Sequence, residues 1–531
     1  MPRLPGQQKQ GIKMKNRLMV GLAALVLAGC AQSDSTGGDV VATENACATL
    51  TGLDLPNTRI INVEDKPAGS FSFGAGPTSK TLALPARCYV EGISNERTGA
   101  DGKIYGLGFA LAMPADWNGR FLFQSGGGLN GIVHPPLGGS AAGDTPALAR
   151  GFAVISTDGG HKGQGGFDAS FMADQQAALD FTGQSVATVT EVGKAIVNAY
   201  YGQAAHHTYI SGCSTGGRES MLAAQRYPML FDGAVVGAPA MRTGNSNFAL
   251  RKAVVAFNQV APLDEEGNPQ IARAFSARER RAVHDGLLAQ CDGLDGLEDG
   301  VVANVRGCNF DPSLLVCNEE NNDSCISQAQ ADAIDEAFAP LVNSTGYEIY
   351  PAFPVDTGMI EGGMTYIPGE RFFSPGASAQ QTEIDIDAED ARLRNDPMQA
   401  RTDSYGWTNF ATFLNRGGKI LFYHGVSDAW FSAYDTLGFY QRASEANEGW
   451  SHASRYYHVP GMGHCAGGAN TFDSFDLLSA VVDWVENGEA PADIIASRTN
   501  PEPASRKLCA YPTHPHYTGG DVTSADSFEC R

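Results

Sequence analysis

The Gly-Cys-Ser-Thr-Gly segment at residues 212–216 constrains the fold of this chain more than any other feature. An apolar run at residues 207–211 precedes it, and a helical pattern at residues 217–227 follows it. A glycine at each end lets the chain turn sharply, so that the Ser214 hydroxyl stands above the edge of a sheet. The segment therefore predicts a strand, a tight turn and a helix, with an exposed serine at the turn.

Several other apolar runs have the pattern of buried strands, with helical periodicity between them. The predicted strands are residues 119–124, 151–156, 233–237, 419–423 and 455–459, and the predicted helices include residues 185–201 and 474–485. Strands that alternate with helices favour a mainly parallel sheet. From 241 to 407 strand signals become scarce. We therefore predict an α/β-hydrolase core, residues 42–240 and 408–531, with a large inserted lid domain at 241–407.

A nucleophilic serine needs a general base and a third residue that orients the base. In α/β hydrolases the acid follows the serine in the chain and the histidine follows the acid. Asp428 lies in the loop after one predicted strand, and His464 lies in a glycine-rich loop after the next. The order predicts Ser214 as nucleophile, His464 as general base and Asp428 as the orienting residue.

Three nearby residues compete for these roles. His424 sits at the end of a predicted strand, where we expect it to line the pocket and contact substrate, and His458 lies within a strand. Asp435 is the rival acid, in a helix-like stretch after Ser432.

Two cysteines adjoin the predicted catalytic residues. Cys213 precedes Ser214, and Cys465 follows His464. If the serine and the histidine meet, a disulfide between their neighbours becomes feasible, and by chain entropy it would contribute on the order of 5 kcal/mol. Two unrelated structural cysteines are the alternative.

An oxyanion hole needs two backbone donors. Three glycines at residues 126–128 follow an early strand, as in the oxyanion loops of lipases. We expect the backbone N–H groups of Gly127 and Thr215 to be the two donors of the oxyanion hole. A mobile glycine loop is the alternative.

The Gly-Cys-Ser-Thr-Gly-Gly segment, Asp428 and the Gly-His-Cys segment resemble the tannase and feruloyl esterase family, including its mono(2-hydroxyethyl) terephthalate hydrolase members. The resemblance covers essentially the whole mature chain. It implies an α/β-hydrolase core with a lid, and hydrolysis of esters of aromatic acids. It also implies the disulfide pairs Cys47–Cys88, Cys213–Cys465, Cys291–Cys308, Cys317–Cys325 and Cys509–Cys530.

Residues 291–301 concentrate acids among glycines, and oxygen ligands on a tight loop suit calcium. The spacing is not that of an EF-hand, but it resembles the calcium loop of the family's lid. By that resemblance the ligands are the carboxylates of Asp292, Asp295 and Asp299 and the carbonyls of Leu297 and Val301. A solvated acidic turn is the alternative. We expect a structural role for the ion.

Two aromatic residues, Trp430 and Phe431, follow Asp428 closely, and we expect them to face the acyl group. Phe431 matches the position at which terephthalate-type relatives stack an aromatic on the substrate ring. Packing in the core is the alternative for both residues. Arg371 and Arg392 are candidates for the lid arginine that binds a free carboxylate in some relatives. Feruloyl, galloyl and terephthalate monoesters therefore stay open as substrates.

The N-terminus has the features of an export signal. Basic residues precede an apolar run at residues 18–27, which is too short for a membrane span. The Leu-Ala-Gly-Cys sequence at residues 27–30 resembles a lipobox, so we expect residues 1–30 to be a lipoprotein-type signal. Cys30 would then carry lipid, and residues 31–41 would form a tether. An ordinary secretory signal is the alternative.

Composition agrees with an exported protein. Eleven cysteines are unusual in the cytosol, and ten remain if one is lipidated. A net charge of -22 leaves no basic footprint for nucleic acid. We expect an outer-membrane, periplasmic or cell-surface monomer that contacts the membrane only through its N-terminal lipid and binds a small aromatic ester.

Two other functions use the same features. A catalytically silent surface-binding lipoprotein could be built on a hydrolase fold, although a complete serine, aspartate and histidine set argues against it. A peptidase could use the same triad to cleave amides.

Overall fold

The main sheet of the computed structural model has nine strands. The structure describes residues 40–41, 46–73, 80–164, 166–319, 323–374, 380–468 and 470–531. In chain order the strands are β1 (Thr58–Lys66), β2 (Arg87–Thr98), β3 (Ile104–Pro114), β4 (Arg120–Gln124), β5 (Ala153–Thr157), β6 (His207–Cys213), β7 (Gly233–Gly237), β8 (Lys419–Gly425) and β9 (Ser454–Val459).

The strand order across this sheet is β9-β8-β7-β6-β4-β5-β3-β2-β1. The six strands from β9 to β5 pair in parallel, whereas β3, β2 and β1 add to that edge as antiparallel strands. Because neighbouring parallel strands end at the same edge, the loops after β6, β8 and β9 can meet there. The predicted α/β-hydrolase fold is confirmed.

In the described ranges, thirteen α-helices accompany the sheet. They are α1 (Ala46–Thr49), α2 (Gln175–Leu179), α3 (Ser185–Tyr201), α4 (Thr215–Arg226), α5 (Thr243–Asn258), α6 (Ala277–Cys291), α7 (Gln328–Phe338), α8 (Gly358–Glu361), α9 (Ile386–Arg394), α10 (Pro397–Thr402), α11 (Ala411–Asn415), α12 (Ala433–Ala446) and α13 (Leu477–Asn487). Short two-stranded ladders pair Val40–Val41 with Asp116–Trp117, Gly69–Phe73 with Lys80–Leu84, Leu341–Val342 with Glu348–Tyr350, Asp493–Arg498 with Ala504–Cys509, and Pro515–Tyr517 with Phe528–Cys530.

Apolar side chains cover both faces of the sheet. In β4, Phe121 and Phe123 join one hydrophobic cluster, and Leu122 between them joins another on the opposite face. The first cluster includes residues of α3, α4 and α12, and the second includes the apolar side of α13. Since successive side chains of a strand point to opposite faces, a continuous apolar run is what a sheet covered on both sides requires.

The chain between β7 and β8 forms a third apolar cluster of its own, built largely from α5, α6, α7 and the segments around them. This segment corresponds to the predicted lid at 241–407. It packs with the core into one compact unit, Val40–Arg531, so the lid boundaries stay a prediction.

Five disulfides join the ten cysteines of the described chain in the pairs that the family resemblance implies. They are Cys47–Cys88, Cys213–Cys465, Cys291–Cys308, Cys317–Cys325 and Cys509–Cys530. The predicted signal at residues 1–30, its Cys30 and the tether up to residue 39 lie outside the described residues. Within the part of the chain that the structure describes, none of the helices has the length and apolar character needed to cross a membrane.

The disulfides differ in the length of chain that they close, and this difference predicts their contributions to stability. Cys213–Cys465 spans 252 residues, whereas Cys317–Cys325 spans 8. The chain-entropy relation gives about 5.5 kcal/mol for the long loop and about 2.6 kcal/mol for the short one. Replacing both cysteines of each pair with alanine should therefore lower the free energy of unfolding by about 3 kcal/mol more for the long loop.

Urea denaturation of the two double variants measures this difference. Equal losses of stability, or a larger loss for the Cys317→Ala, Cys325→Ala variant, would contradict the expectation.

Candidate active site

Ser214 occupies a strained turn between the end of β6 and the start of α4. Its φ and ψ are 64° and -124°, a backbone conformation that residues other than glycine adopt at a cost of about 1–3 kcal/mol. The glycines that flank this turn are required because there is no room for a side chain at either position. A Cβ on Gly216 would lie 2.4 Å from the carbonyl oxygen of Gly126, and one on Gly212 would lie 2.6 Å from Ser125 Cβ. The predicted strand, turn and helix are therefore present.

The predicted acid and base contact each other directly. His464 Nδ1 lies 2.6 Å from Asp428 Oδ2. Asp428 is fully buried, and its Oδ1 accepts hydrogen bonds from the backbone N–H groups of Trp430 and Phe431. Burial acts to raise the pKa of Asp428, but the two neighbouring histidines outweigh it and hold that pKa well below the ordinary value. An ionised Asp428 on Nδ1 leaves Nε2 of His464 free to take a proton.

His424 is not placed to contact substrate, and that expectation is wrong. Its side chain is fully buried behind Asp428, and both ring nitrogens are engaged within the protein. Nε2 lies 3.2 Å from Asp428 Oδ2 and 3.0 Å from the Phe431 carbonyl oxygen, and Nδ1 lies 2.8 Å from Thr436 Oγ1. His424 therefore helps to fix the acid, and its position four residues before Asp428 was the available sequence signal.

The other two competitors are engaged elsewhere. Asp435 forms a buried ion pair with Arg242, whose Nε lies 2.9 Å from Asp435 Oδ1. Burial lowers the pKa of His458 to about 3, which makes it a poor base at neutral pH. Asp428 and His464 are thus the pair best suited to activate a serine.

The Cys213–Cys465 disulfide holds the turn that bears Ser214 beside the loop that bears His464. The Cα atoms of the two cysteines are 5.9 Å apart. In the described chain the Ser214 hydroxyl makes no hydrogen bond to His464. In enzymes without bound substrate this bond is often long, and it tightens in the substrate complex.

Two backbone donors stand free beside the turn. Among the residues that the structure describes, neither Gly127 nor Thr215 donates its backbone N–H to a protein acceptor. The Thr215 hydroxyl hydrogen-bonds the Gly128 carbonyl oxygen, and the Asn130 N–H donates to the Gly127 carbonyl oxygen at 2.9 Å. These contacts order the glycine loop against the start of α4, so that it can serve as an oxyanion hole.

An aromatic cluster surrounds His464. Trp430 and Phe431 stack with centroids 5.1 Å apart, and their centroids lie 5.6 and 5.3 Å from that of His464. Phe431 is only 3% exposed, so Trp430 presents more of its ring. Phe373 from the inserted segment and Phe167 from the loop after β5 contact Trp430 at 5.0 and 5.6 Å. Sequence reasoning missed both, because aromatics in loops have no periodic signal.

A cavity of about 190 Å³ adjoins His464, between the glycine-rich stretch around residues 358–364 and the histidine loop at residues 461–468. Of the two lid arginines considered, Arg371 donates to the Gly362 carbonyl oxygen at this cavity wall. Arg392 is 57% exposed on α9 and pairs with a glutamate on the same helix. The structure therefore brings Arg371 closer than Arg392 to the wall of the cavity.

In the described chain, the acidic loop after α6 has a buried carboxylate oxygen that lacks a hydrogen-bond partner. Asp295 Oδ2 is buried and has no hydrogen bond among the described residues. Burial, together with the negative charges of Asp299 and Asp292, raises the pKa of Asp295 to about 7. The Leu297 N–H and Arg506 act in the opposite direction and lower this pKa by less. These features suit a bound cation.

Other carboxylates of this loop are engaged within the protein. Asp292 accepts the N–H groups of Gly300 and Val301, and Asp299 pairs with Arg506 at 2.6 Å. In the described ranges no three or more His, Cys, Asp or Glu side chains converge as metal ligands. Calcium binding by this loop stays a prediction. It rests on the unpartnered Asp295 Oδ2 and on the carboxylate and carbonyl oxygens that the loop supplies.

Comparison with known proteins agrees with this geometry. The family model for tannase and feruloyl esterase matches residues 88–382 and 371–531. Mono(2-hydroxyethyl) terephthalate hydrolase of Piscinibacter sakaiensis is 36% identical over 522 residues, 86% of each chain. A probable feruloyl esterase B-1 of Aspergillus fumigatus is 30% identical over 457 residues, 79% of this chain and 81% of the relative.

Among solved structures, feruloyl esterase B from Aspergillus oryzae superposes with a TM-score of 0.74 at 26% identity, covering 92% of this chain and 99% of the other. Tannin acyl hydrolase from Aspergillus niger has a TM-score of 0.67 at 20% identity, with 92% and 95% covered, and shares the fold. With a family model that spans most of its length and a relative at 36% identity, the chain belongs to the tannase and feruloyl esterase family.

Proposed function

We propose that this protein is an exported serine carboxylic ester hydrolase that cleaves esters of aromatic acids through an acyl-enzyme. The observation that carries the proposal is the 2.6 Å contact between His464 Nδ1 and Asp428, on a loop disulfide-bonded to the turn of Ser214. Membership of a family of esterases supports the reaction class.

The reaction has two halves. Ser214 Oγ attacks the ester carbonyl carbon while His464 Nε2 takes the hydroxyl proton. The N–H groups of Gly127 and Thr215 stabilise the oxyanion of the tetrahedral intermediate. His464 then gives the proton to the departing alcohol oxygen. A water molecule that gives a proton to His464 Nε2 attacks the acyl carbon of the acyl-enzyme. When the second tetrahedral intermediate collapses, His464 returns that proton to Ser214 Oγ, which leaves as the free hydroxyl, and the acid is released.

The aromatic cluster beside His464 supports an aromatic acyl group. Trp430, Phe167 and Phe373 come from three separate segments and present ring surface near the base. The relatives named above include esterases for terephthalate and ferulate, and the fold neighbours include a tannin acyl hydrolase. Feruloyl, galloyl and terephthalate monoesters are therefore the substrates that we propose to test.

We also propose a monomeric enzyme attached to the membrane only by lipid on Cys30. Disulfides are typical of oxidising compartments, which supports export.

Replacing the nucleophile should abolish the activity without unfolding the protein. Ser214→Ala should lower kcat by several orders of magnitude, because the acyl-enzyme can no longer form. The measurement is hydrolysis of p-nitrophenyl, feruloyl, galloyl and terephthalate monoesters, with peptide amides assayed in parallel. Circular dichroism checks that the fold is retained.

The parallel assays also separate the competing functions. Cleavage of amides at rates comparable to esters would favour a peptidase, and no hydrolysis by the wild-type protein would favour a silent binding protein. Substantial ester hydrolysis by Ser214→Ala would contradict the assignment of the nucleophile.

A structural calcium ion is the second part of the proposal. The carboxylates of Asp292, Asp295 and Asp299 and the carbonyls of Leu297 and Val301 would hold it. The unpartnered Asp295 Oδ2 supports a cation at this loop. The ion would neutralise buried carboxylate charge and take no part in the chemistry.

Calcium should raise the melting temperature of chelator-treated protein, because a ligand that binds only the native state stabilises it by mass action. At a concentration a hundred times Kd the gain is about 2.7 kcal/mol. Asp295→Asn should abolish the shift, whereas Glu298→Gln in the same loop should keep it. An unchanged melting temperature, in protein that elemental analysis shows to be free of calcium before the addition, would argue against the site.

A further inference from the structure

A buried glutamate, Glu219, lies directly behind the glycine loop and has no part in the mechanism described so far. It belongs to α4, and only 1% of its surface is exposed. Burial raises the pKa of Glu219, while Arg218 and the hydrogen bonds to Gly126 and Asn130 oppose that rise. A carboxylate is rarely buried to this extent without a specific partner, so its contacts identify its role.

Both carboxylate oxygens of Glu219 accept hydrogen bonds from the glycine loop, residues 126–130. Oε2 accepts the backbone N–H of Gly126 at 3.1 Å, and Oε1 accepts the side-chain amide of Asn130 at 3.0 Å. These two residues flank the segment that contains Gly127. The carboxylate therefore holds the loop on both sides of the proposed oxyanion donor.

The position of Glu219 in α4 links the two halves of the oxyanion hole. Thr215 and Glu219 are four residues apart in one helix, so they lie on the same face. The Thr215 hydroxyl reaches Gly128, and Glu219 reaches Gly126 and Asn130. One helix face thus fixes three points of the glycine loop and also bears the second donor, the Thr215 N–H.

The glycine loop is itself closely packed. A Cβ on Gly126 would lie 2.3 Å from Asn130 Oδ1, so the Asn130 amide packs directly over the glycine backbone. Asn130 has a φ of 49° and is 3% exposed. Small displacements of the Glu219 carboxylate must therefore move the loop backbone.

We propose that Glu219 is a positioning residue of the oxyanion hole: its carboxylate fixes Gly126 and Asn130 and thereby aims the Gly127 N–H at the developing oxyanion. This inference rests on the proposed serine esterase function. Glu219 touches neither substrate nor Ser214, and its effect reaches the reaction only through the position of the loop.

Two substitutions separate hydrogen-bond geometry from charge. Glu219→Asp keeps the charge but shortens the side chain, so it cannot hold both partners in place. Glu219→Gln loses the charge but keeps the length, and its carbonyl oxygen can accept the Gly126 N–H. Its amide can donate to Asn130 Oδ1, which has no partner in the described chain, once the Asn130 amide turns over so that Oδ1 takes the place of Nδ2. If the position of the hydrogen-bonding atoms matters more than the charge, the glutamine variant keeps most of its activity and the aspartate variant loses most of it.

Glu219→Asp should lower kcat by about tenfold to a hundredfold, because a misplacement of about 1 Å can cost a hundredfold in rate. KM should change by less than about twofold, because the oxyanion contact strengthens in the transition state. Glu219→Gln should stay within about threefold of the wild-type kcat. The inhibition constant of phenylboronic acid, whose serine adduct places an oxygen in the oxyanion hole, should rise in the aspartate variant by the same factor as kcat falls.

The matched control is Glu486→Gln. Glu486 is a partly buried carboxylate on α13, and it accepts hydrogen bonds from Arg120 and from Tyr209 of β6, the strand that leads to Ser214. It has no contact with the glycine loop, so its loss should lower stability and leave kcat unchanged. Should Glu219→Asp not fold, Asn130→Gly removes one of the two partners and suits the positive φ, and it should lower kcat without changing KM.

The outcomes are distinct. An unchanged kcat in Glu219→Asp, an equal loss in Glu219→Asp and Glu219→Gln, or a loss of kcat without a rise in the phenylboronic acid constant would each overturn the inference. Ser214→Ala is assayed alongside. If it retains activity the proposed function fails, whereas if it is inactive and Glu219→Asp is fully active only the role of Glu219 fails.

Discussion

The strained turn at Ser214 is the constraint on which the rest of the site depends. Ser214 is the single residue between the last residue of β6 and the first residue of α4, and it adopts a φ of 64°. α4 can begin at this position only because residue 216 is a glycine. A Cβ there would collide with the Gly126 carbonyl oxygen. The same close contact brings the glycine loop next to the serine, so the turn and the oxyanion loop form one packed unit.

Asp428 shows how the opposite side of the site is organised. It accepts hydrogen bonds from His464, His424 and two backbone N–H groups, which satisfies a fully buried carboxylate and keeps its pKa low. His424 is itself held by Thr436. The base is therefore oriented by an acid that cannot rotate, and the Cys213–Cys465 bridge joins this assembly to the serine turn.

Local patterns in the sequence predicted much of this architecture. The helix at residues 185–201 and the strand at residues 233–237 have the predicted bounds, because periodicity and flanking turn residues mark them clearly. The antiparallel strands β1 to β3 were not assigned, and the strand order across the sheet could not be predicted, since both depend on pairing between distant segments.

The residues missed at the site share one property: their roles depend on contacts across the fold. Glu219 is one acidic residue in a helical pattern, and Phe167 is one aromatic in a loop. The strand end at His424 predicts proximity to the site but not the direction of the side chain, so the expected substrate contact was wrong. The Cys213–Cys465 disulfide could be predicted because each cysteine is next to a predicted catalytic residue in the sequence. If Ser214 and His464 lie close together, their sequence neighbours must lie close together as well.

The mechanism requires that Ser214 form a covalent acyl intermediate. The direct measurement is peptide mapping by mass spectrometry after inactivation with an aryl phosphonate, which reacts with a serine activated by a neighbouring base and leaves a stable tetrahedral adduct. We predict a single stoichiometric adduct on Ser214, formed in step with loss of esterase activity and absent from the His464→Ala variant. An adduct on another residue, or full activity after Ser214 is labelled, would contradict it.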